Sequence, residues 1–392
     1  MDGRWSTGVR RFPKSRPQID RDLTRLLLMQ LGLTRHSLNR ATLARQSLLA
    51  RTDSTPLEVI TLLAGLQAQD PEPPYYGLWN RINNFHQDDL TRLLEERRVV
   101  RSTLYRGTQH LVTAEDYVWL RPALQPMLDR WQRGAWGKVT AGIDLSELAG
   151  AVRELLGDGQ LSRPELAAAL ADRWPGRDPV GLARSAQALL AIVHPAPDGT
   201  WGRRGTTPFM LAEQWLGRPL AADPPVDRLV LRHLAAFGPA TVRDVQAWSG
   251  MTRLREVVDR LRPELKVFHG SEGQELFDLP DAPRPGPDVP APVRFLALLD
   301  NVVLAYADRT RMLSDDRRVP VSLEPALSVN GFVHGLWRVR RDRGSRAVLR
   351  IKLFEPLPPG AEADVTEEGT RLLRFAAPDA GAYDIEIRDG WR

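Results

Sequence analysis

The first patterned part of the chain places apolar residues at helical spacing and then at strand spacing. Three helices are predicted, over residues 37–49, 55–69 and 88–96. The second begins with Thr55, Pro56 and Glu58, a combination typical of a helix start with a capping box. Alternation over 99–112 predicts two paired strands that turn near Arg106.

The same order of helices followed by a hairpin recurs along the chain. Further helices are predicted over 145–156, 162–172, 182–192, 226–236, 240–250 and 254–261. The last of these precedes a hairpin over 265–277, with Gly270 and Gly273 in its turn. Helices followed by a hairpin are the order of a winged helix, so we expect three such units in tandem, each with a helix pair placed to meet DNA.

Prolines separate these units from the last part of the chain. Six fall within residues 280–292, a composition typical of a linker. Beyond them, Asn330-Gly331 lies between alternating apolar residues and predicts a tight hairpin. We therefore expect an α+β fold. Its predicted parts are a basic, disordered tail over 1–31, winged helices over 32–140, 141–222 and 223–282, and a linker with a β domain over 283–392.

Composition narrows the class of protein. With 392 residues, 42% hydrophobic and 26% charged, the chain has the make-up of a folded protein with more than one domain. It has no cysteine, which excludes disulfides, cysteine-bound metals and thiol nucleophiles. No apolar run is long enough to cross a bilayer, and no secretion signal is evident. We expect a cytoplasmic monomer without membrane contact.

The net charge of +5 is unevenly distributed, and arginine supplies nearly all of the basic residues. Residues 1–51 carry a net charge of +8, whereas the rest carries −3. Within the last domain, 291–353 sum to +6 and 354–392 to −5, which is consistent with one face that binds DNA. Genomic base bias and a solvent-facing charged strand pair are the alternative explanations.

Motifs for nucleotide phosphates, a serine nucleophile or zinc are absent, and the seven histidines are scattered. We predict no metal and no cofactor. Three polar segments remain as candidates. They are Gln67-Ala68-Gln69 with Asp70 at a predicted helix end, the hairpin with Arg106, Thr108, His110 and Thr113, and a cluster with Asp300, Asn301, Arg309 and Arg311. The alternative explanations are, in turn, solvated amides, structural hydrogen bonds, and a buried salt bridge at a domain interface.

Together these segments resemble the bacterial winged-helix DNA glycosylases of the AlkZ-like type. The resemblance runs from about residue 32 to the C-terminus. Its motifs are Gln67-Ala68-Gln69, Tyr76-Gly77-Leu78-Trp79, Arg106-Gly107-Thr108-x-His110-Leu111-Val112 and Leu299-Asp300-x5-Tyr306-x-Asp308-Arg309. Supporting matches are Gly238-Pro239-Ala240-Thr241, Ala247-Trp248-Ser249-Gly250 and Gly335-x-Trp337.

The resemblance implies three winged helices and a C-terminal β-rich, barrel-like domain that together form a C-shaped, concave surface for double-stranded DNA. It implies excision of alkylated bases, and for the branch with Gln-apolar-Gln the unhooking of interstrand crosslinks, as self-resistance to a DNA-alkylating natural product. On this basis Gln67 and Gln69 are the predicted catalytic residues. Further contacts with DNA are predicted for ten residues, which are Arg106, Thr108, His110, Thr113, Asn301, Arg309, Arg311, Asn330, Arg338 and Arg340.

Two uncharged amides suit this chemistry for a specific reason. An N7-alkylguanine is already cationic, so its glycosidic bond needs little protonation of the leaving base. The remaining task is to hold a water against C1′ and to favour an oxocarbenium-like transition state, which amide dipoles can do. We therefore expect a monofunctional, metal-independent glycosylase in the cytoplasm, at the nucleoid when it acts. The alternatives are a non-catalytic winged-helix regulator and a protein that only sequesters alkylated DNA.

Overall fold

The first helix among the described residues precedes a unit in which a very short strand separates two helices. The computed structural model describes residues 32–157, 159–203, 205, 207–313, 324–341 and 346–389, so the predicted tail over 1–31 lies outside the described residues. Helix α1 is Arg35–Arg45. The first unit (56–113) consists of α2 (Pro56–Leu62), β1 (Leu66–Gln67), α3 (Pro73–Trp79), α4 (Gln87–Glu95), β2 (Val99–Thr103) and β3 (Gln109–Thr113).

Helix α2 starts as predicted but ends earlier. The capping box is present, since Thr55 Oγ1 accepts from the Glu58 N–H and the Glu58 carboxylate accepts from the Thr55 N–H. The helix ends at Leu62, and the chain then turns at Gly65 with φ +106°. A Cβ on Gly65 would lie 2.6 Å from Val112 Cγ1, so the turn requires glycine. The predicted helix through 67–69 is therefore wrong.

The order helix, short strand, helix, helix and two strands returns further along the chain. After α5 (Ala114–Ala123) and α6 (Gln125–Trp136), the second unit (145–211) has α7 (Leu145–Leu156), β4 (Leu161–Ser162), α8 (Arg163–Arg173), α9 (Pro179–Leu189), β5 (Ile192–Val193) and β6 (Pro208–Leu211). After α10 (Ala212–Leu216), the third unit (226–278) has α11 (Val226–Phe237), α12 (Val242–Ser249), α13 (Arg255–Leu261), β7 (Lys266–His269) and β8 (Glu275–Asp278). In the third unit a single bridge between Ala240 and Phe277 takes the place of the short strand.

The first two units share one sheet. Its strand order is β1-β3-β2-β5-β6-β4, so the two hairpins lie side by side and a short strand flanks each outer edge. The hairpins meet through antiparallel pairing of Ser102 with Val193. This arrangement places the loop that follows β5 beside strand β2.

The C-terminal domain (294–389) is an open sheet and not the expected barrel. It contains β9 (Arg294–Phe295), α14 (Asn301–Leu304), β10 (Ala326–Val329), β11 (Phe332–Arg341), β12 (Arg346–Leu353), α15 (Ala361–Ala376) and β13 (Ala382–Asp389). The strand order β13-β12-β11-β10-β9 leaves β13 and β9 as edges among the described strands. The predicted turn at Asn330 and Gly331 is confirmed, with φ of +46° and +82°.

Buried ion pairs join the parts of the chain. Arg45 of α1 reaches Asp278 of the third unit at 2.7 Å, and Arg81, after α3, reaches Asp300 of the C-terminal domain at 2.8 Å. The side chains of both pairs are almost completely buried. Asp300 therefore forms a buried salt bridge at a domain interface, which is the alternative explanation given above for its polar cluster.

The Asp300→Ala substitution should destabilise the protein strongly, because it leaves the Arg81 guanidinium buried without a counter-charge. We expect the free energy of unfolding to fall by about 3–5 kcal/mol, measured by urea denaturation. Asp379→Ala is the matched control, because it removes an exposed partner of Arg341 and should leave the free energy of unfolding nearly unchanged. Equal losses in the two variants would contradict this account of the interface.

Candidate active site

Gln67 and Gln69 lie on a short strand and its continuation, not on a helix end. Strand β1 pairs antiparallel with β3, with Leu66 opposite Leu111 and Gln67 opposite His110. The Ala68 N–H continues the pairing by donating to the Gln109 carbonyl at 2.8 Å. Gln67 is 9% exposed, whereas Gln69 is exposed. The two glutamines therefore stand at the edge of a sheet, Gln67 buried and Gln69 open to solvent.

The residue between the glutamines faces the core. Ala68 is 1% exposed and belongs to a core cluster shared by the first unit and the C-terminal domain, together with Leu66, Tyr75 and Trp337. The alternation of β1 thus directs Ala68 inward. A larger side chain at this position would have to displace closely packed neighbours. Its small size follows from packing and not from chemistry.

Donor groups fix the orientation of both amides. The Gln67 Oε1 accepts from Arg106 Nη2 at 3.3 Å, and the Gln69 Oε1 accepts from the Gln109 backbone N–H at 3.0 Å. A guanidinium and a backbone N–H can only donate, so each contact requires the oxygen end of the amide. Each oxygen keeps a second lone pair, which can accept a hydrogen bond from a water molecule.

Arg106 links Gln67 to the third unit. Its backbone has φ +57° in the turn between β2 and β3, and its guanidinium also donates to the carbonyl of Trp248, the penultimate residue of α12. Burial lowers the pKa of Arg106 to about 10, and the charge of Arg309 contributes to this shift. Arg106 therefore remains protonated at neutral pH and keeps its hydrogen bond to the Gln67 oxygen.

The turn that carries Arg106 packs against α6 and against the residue that follows α12. A Cβ on Gly107 would lie 2.6 Å from the Trp131 ring of α6, and Gly250, after α12, lies against the Arg106 backbone. Thr108 donates to the Tyr105 carbonyl at 3.1 Å. Thr113 caps α5 by accepting from the Asp116 N–H. The interpretation of this turn as a probe of the duplex stays a prediction, because Arg106, Gly107 and Thr108 keep intermediate exposure although helices pack against the turn.

His110 is a buried neighbour of Gln67. It is 1% exposed, and its Nδ1 donates to the Thr108 carbonyl at 3.0 Å, which leaves Nε2 without a hydrogen and without a partner. Burial and, to a smaller extent, the charge of Arg106 lower the pKa of His110 to about 3. The imidazole is therefore neutral at physiological pH.

The predicted cluster of the C-terminal domain divides into buried and exposed members. The Asn301 amide is buried and donates to the Gly65 carbonyl at 2.6 Å, so it holds the turn that leads into β1. Arg311 is also buried and donates to Thr42 Oγ1 and to the Phe237 and Pro239 carbonyls. Arg309 is exposed and lies close enough to Arg106 to influence its pKa. Only Arg309 of these three presents its side chain to solvent.

The second predicted hairpin is anchored to α1. The Asn330 Oδ1 accepts from Arg40 Nη2 at 2.7 Å, and the Gly331 carbonyl accepts from the Asn39 amide at 2.7 Å. Asn330 is nonetheless exposed, so the interpretation of this turn as a second probe of the duplex stays a prediction. Of the strand arginines that follow, Arg338 is 3.6 Å from Glu324 and Arg340 is exposed.

Ion pairs between the two segments offset part of the charge polarity of the last domain. Arginines of the basic segment form ion pairs with carboxylates of the acidic segment. The pairs are Arg294–Glu368, Arg341–Asp379, Arg346–Asp384 and Arg350–Glu386. The alternative of charged strands that pair with each other therefore accounts for these residues, and a separate DNA face does not follow from the sums.

The site includes residues that the sequence did not indicate. Arg101 of β2 is buried and donates to the Ala68 and Gln69 carbonyls, and Asp198 of the second unit pairs with it. The sequence offered one signal for Arg101, because it is a charged residue directly after two valines in a predicted strand. Asp198 is 97 residues away from Arg101, and no sequence pattern connects the two.

Two further findings concern the whole described chain. Across the residues that the structure describes, no group of three or more histidine and carboxylate side chains is arranged to hold a metal ion. Within the same residues, no helix is both long and apolar enough to span a membrane.

Comparison with known proteins shows the family of the chain. The family model for AlkZ-like DNA glycosylases matches residues 60–375, so the chain belongs to this family and is a DNA glycosylase. Among solved structures, it is similar to the Streptomyces sahachiroi DNA glycosylase AlkZ, with a TM-score of 0.69 and 20% identity. That match covers 92% of this chain and 100% of the other. The curated proteins contain no match to this chain.

The buried histidines predict how stability depends on pH. Burial lowers the pKa of His110 and of His194 to about 3, so both bind protons more weakly when folded than when unfolded. Their contribution to stability is complete above about pH 6.5 and is lost as the pH falls toward 3. Between pH 7 and pH 5, each should lower the free energy of unfolding by about 2 kcal/mol, measured by urea denaturation.

The variant His194→Asn provides the control, because an asparagine amide can replace the Nδ1–H donor to the Pro208 carbonyl. Its loss of stability between pH 7 and pH 5 should be smaller than that of the unchanged protein by about 2 kcal/mol. Identical pH profiles for the two proteins would show that His194 titrates normally in the folded state.

Proposed function

We propose that this DNA glycosylase hydrolyses the N-glycosidic bond of N7-alkylguanine in double-stranded DNA, with Gln67 and Gln69 as its catalytic residues. The observation that carries the proposal is the pair of amides on and just after β1, with both oxygen ends fixed by donors. The reaction is monofunctional and needs no metal, since an amide cannot form a Schiff base and the cationic base departs readily.

The proposed mechanism uses the amides to hold the attacking water. The remaining lone pair on each Oε1 accepts from one water molecule, which orients the water oxygen toward C1′. The bond between C1′ and N9 breaks and the base leaves as neutral N7-alkylguanine. The water oxygen then bonds to C1′, and the surplus proton of the water passes to solvent. The negative ends of the two amide dipoles also favour the positive charge that develops on the sugar as the base departs. Because Arg106 and the Gln109 N–H hold the amides before substrate binds, little reorganisation is needed in the transition state.

The proposed DNA-binding surface consists of three winged helices around a concave face, with the C-terminal domain completing a C shape. The threefold return of helix, short strand or bridge, helix, helix and hairpin supports this assignment. Arg309 is the proposed phosphate contact nearest the amides, since it is exposed and lies close to Arg106. Arg340 is a second proposed contact on an exposed part of β11.

Bulky adducts and interstrand crosslinks are proposed substrates because Gln69 stands at an open edge of the sheet, next to the buried Gln67. Gln69 is exposed, and five cavities of about 230 to 570 Å³ among the described residues are all lined by other side chains. An open site suits a nucleotide that is held to the opposite strand and so cannot be extruded into a closed pocket. Such activity would serve as self-resistance in a cell that makes a DNA-alkylating natural product.

Replacing either glutamine by alanine should abolish base release without loss of DNA binding. We expect the single-turnover rate to fall by about 100-fold or more, because each variant loses one of the two groups that hold the water. The measurement is alkali-labile cleavage of a duplex with one N7-methylguanine, repeated with a crosslinked duplex for unhooking. Gln87→Ala, in α4 and outside the site, should keep full activity.

Full release of N7-methylguanine by both the Gln67→Ala and Gln69→Ala variants would overturn the catalytic assignment. A protein that binds duplex DNA but never produces an abasic site would instead be the non-catalytic alternative. Tight binding of alkylated DNA without cleavage would identify a sequestering protein.

Arg309→Ala should weaken binding to damaged and undamaged duplexes to the same extent. Loss of one phosphate contact should reduce the slope of log K against log salt concentration by about one, measured by fluorescence anisotropy. Arg173→Ala is the control, since Arg173 of α8 lies near Glu147 and Glu154 and adds little net positive charge there. An unchanged salt slope in Arg309→Ala would exclude this contact.

A further inference from the structure

Arg101 contacts two successive backbone carbonyls in the segment that carries the candidate catalytic glutamines. Its Nε donates to the Ala68 carbonyl at 2.9 Å, and its Nη2 donates to the Gln69 carbonyl at 3.3 Å. The residue is 5% exposed and belongs to β2, which is separated from β1 by β3 in the sheet. A single side chain thus crosses one strand to reach the segment.

The third contact of Arg101 comes from the second unit. Its Nη1 donates to Asp198 Oδ2 at 2.6 Å, in the loop between β5 and β6. The loop is shaped around this pair: Asp198 Oδ1 accepts from the Gly205 N–H at 2.9 Å, and Gly199 has φ +80°. A Cβ on Gly199 would lie 3.0 Å from Arg101 Cδ, so a larger residue would crowd the guanidinium.

The Gln69 backbone depends on this contact because the strand has already ended. Strand β1 covers only Leu66 and Gln67, and the last ladder hydrogen bond comes from the Ala68 N–H. Beyond that point, the Gln69 carbonyl is held by Arg101 and its side-chain oxygen by the Gln109 N–H. A shift of the carbonyl would turn the peptide and move the Gln69 amide away from Gln67.

We propose that Arg101 is a positioning residue for Gln69, and that the Arg101–Asp198 pair makes the geometry of the active site depend on the second unit. The inference rests on the proposed function of Gln67 and Gln69. Arg101 does not touch the substrate in this account. It acts by fixing two carbonyls, while Asp198 fixes the direction in which its guanidinium fork points.

The test is the Arg101→Lys variant, because lysine keeps the charge but has no planar fork to reach two carbonyls and a carboxylate. We expect the single-turnover rate of N7-methylguanine release to fall by about 10- to 100-fold, as for a small misplacement of a catalytic group. The dissociation constant for the same duplex should stay within about twofold, since the loss lies in the chemical step.

Arg45→Lys is the matched control. Arg45 is equally buried, pairs with Asp278 and donates to the Leu234 and Pro283 carbonyls, but it contacts neither Gln67 nor Gln69. Both variants lose a buried fork, so both should unfold at a lower temperature. Only Arg101→Lys should release the base slowly when the two are compared at a temperature where both are folded.

Asp198→Asn is the second variant, because it keeps the shape of the side chain and tests the pair if Arg101→Lys does not fold. It should slow base release in the same direction with unchanged DNA affinity. Equal rates in Arg101→Lys and Arg45→Lys, or an Asp198→Asn variant as fast as the unchanged protein, would overturn the inference. Absence of base release by the unchanged protein would instead mean that the proposed function has failed.

Discussion

Buried pairs of arginine and carboxylate connect the parts of this protein. Arg45 binds α1 to the third unit, Arg81 binds the first unit to the C-terminal domain, and Arg101 binds the first unit to the second. A buried pair adds little net stability compared with apolar packing, but loss of one partner leaves an isolated charge and is costly. These pairs therefore act mainly by permitting one arrangement of the units and excluding others.

The candidate active site depends on this arrangement because the segment that carries Gln67 and Gln69 is not stabilised by its own hydrogen bonds alone. A two-residue strand has few hydrogen bonds of its own, so other parts of the chain supply the rest. Asn301 of the C-terminal domain holds the preceding turn, Trp248 of the third unit holds Arg106 against Gln67, and Asp198 of the second unit holds Arg101. The orientation of two uncharged amides is thus a property of the whole chain.

Charge sums are a poor guide to DNA contact in this protein. Arg311 was expected to bind DNA, but its guanidinium is buried against backbone carbonyls, and Arg341 is paired with Asp379. Arginine is suited to the interior of this protein because its planar guanidinium can donate hydrogen bonds to a carboxylate and to several carbonyls at once. Arg309 is a candidate for phosphate binding because it is exposed and lies close to Arg106, which contacts Gln67. Neither property can be read from its position along the sequence.

The sequence by itself determined several local elements and indicated the family. Thr55 with Glu58 specified a helix start, and Asn330 with Gly331 specified a tight turn, because these signals act over a few residues. The tertiary structure alone decided that Gln67 lies on a strand, since that strand exists only by pairing with β3 more than 40 residues later. It also decided which arginines are buried, because their carboxylate and carbonyl partners lie far away along the chain. Short-range patterns specify elements, whereas this site is assembled from long-range contacts that leave no local signal.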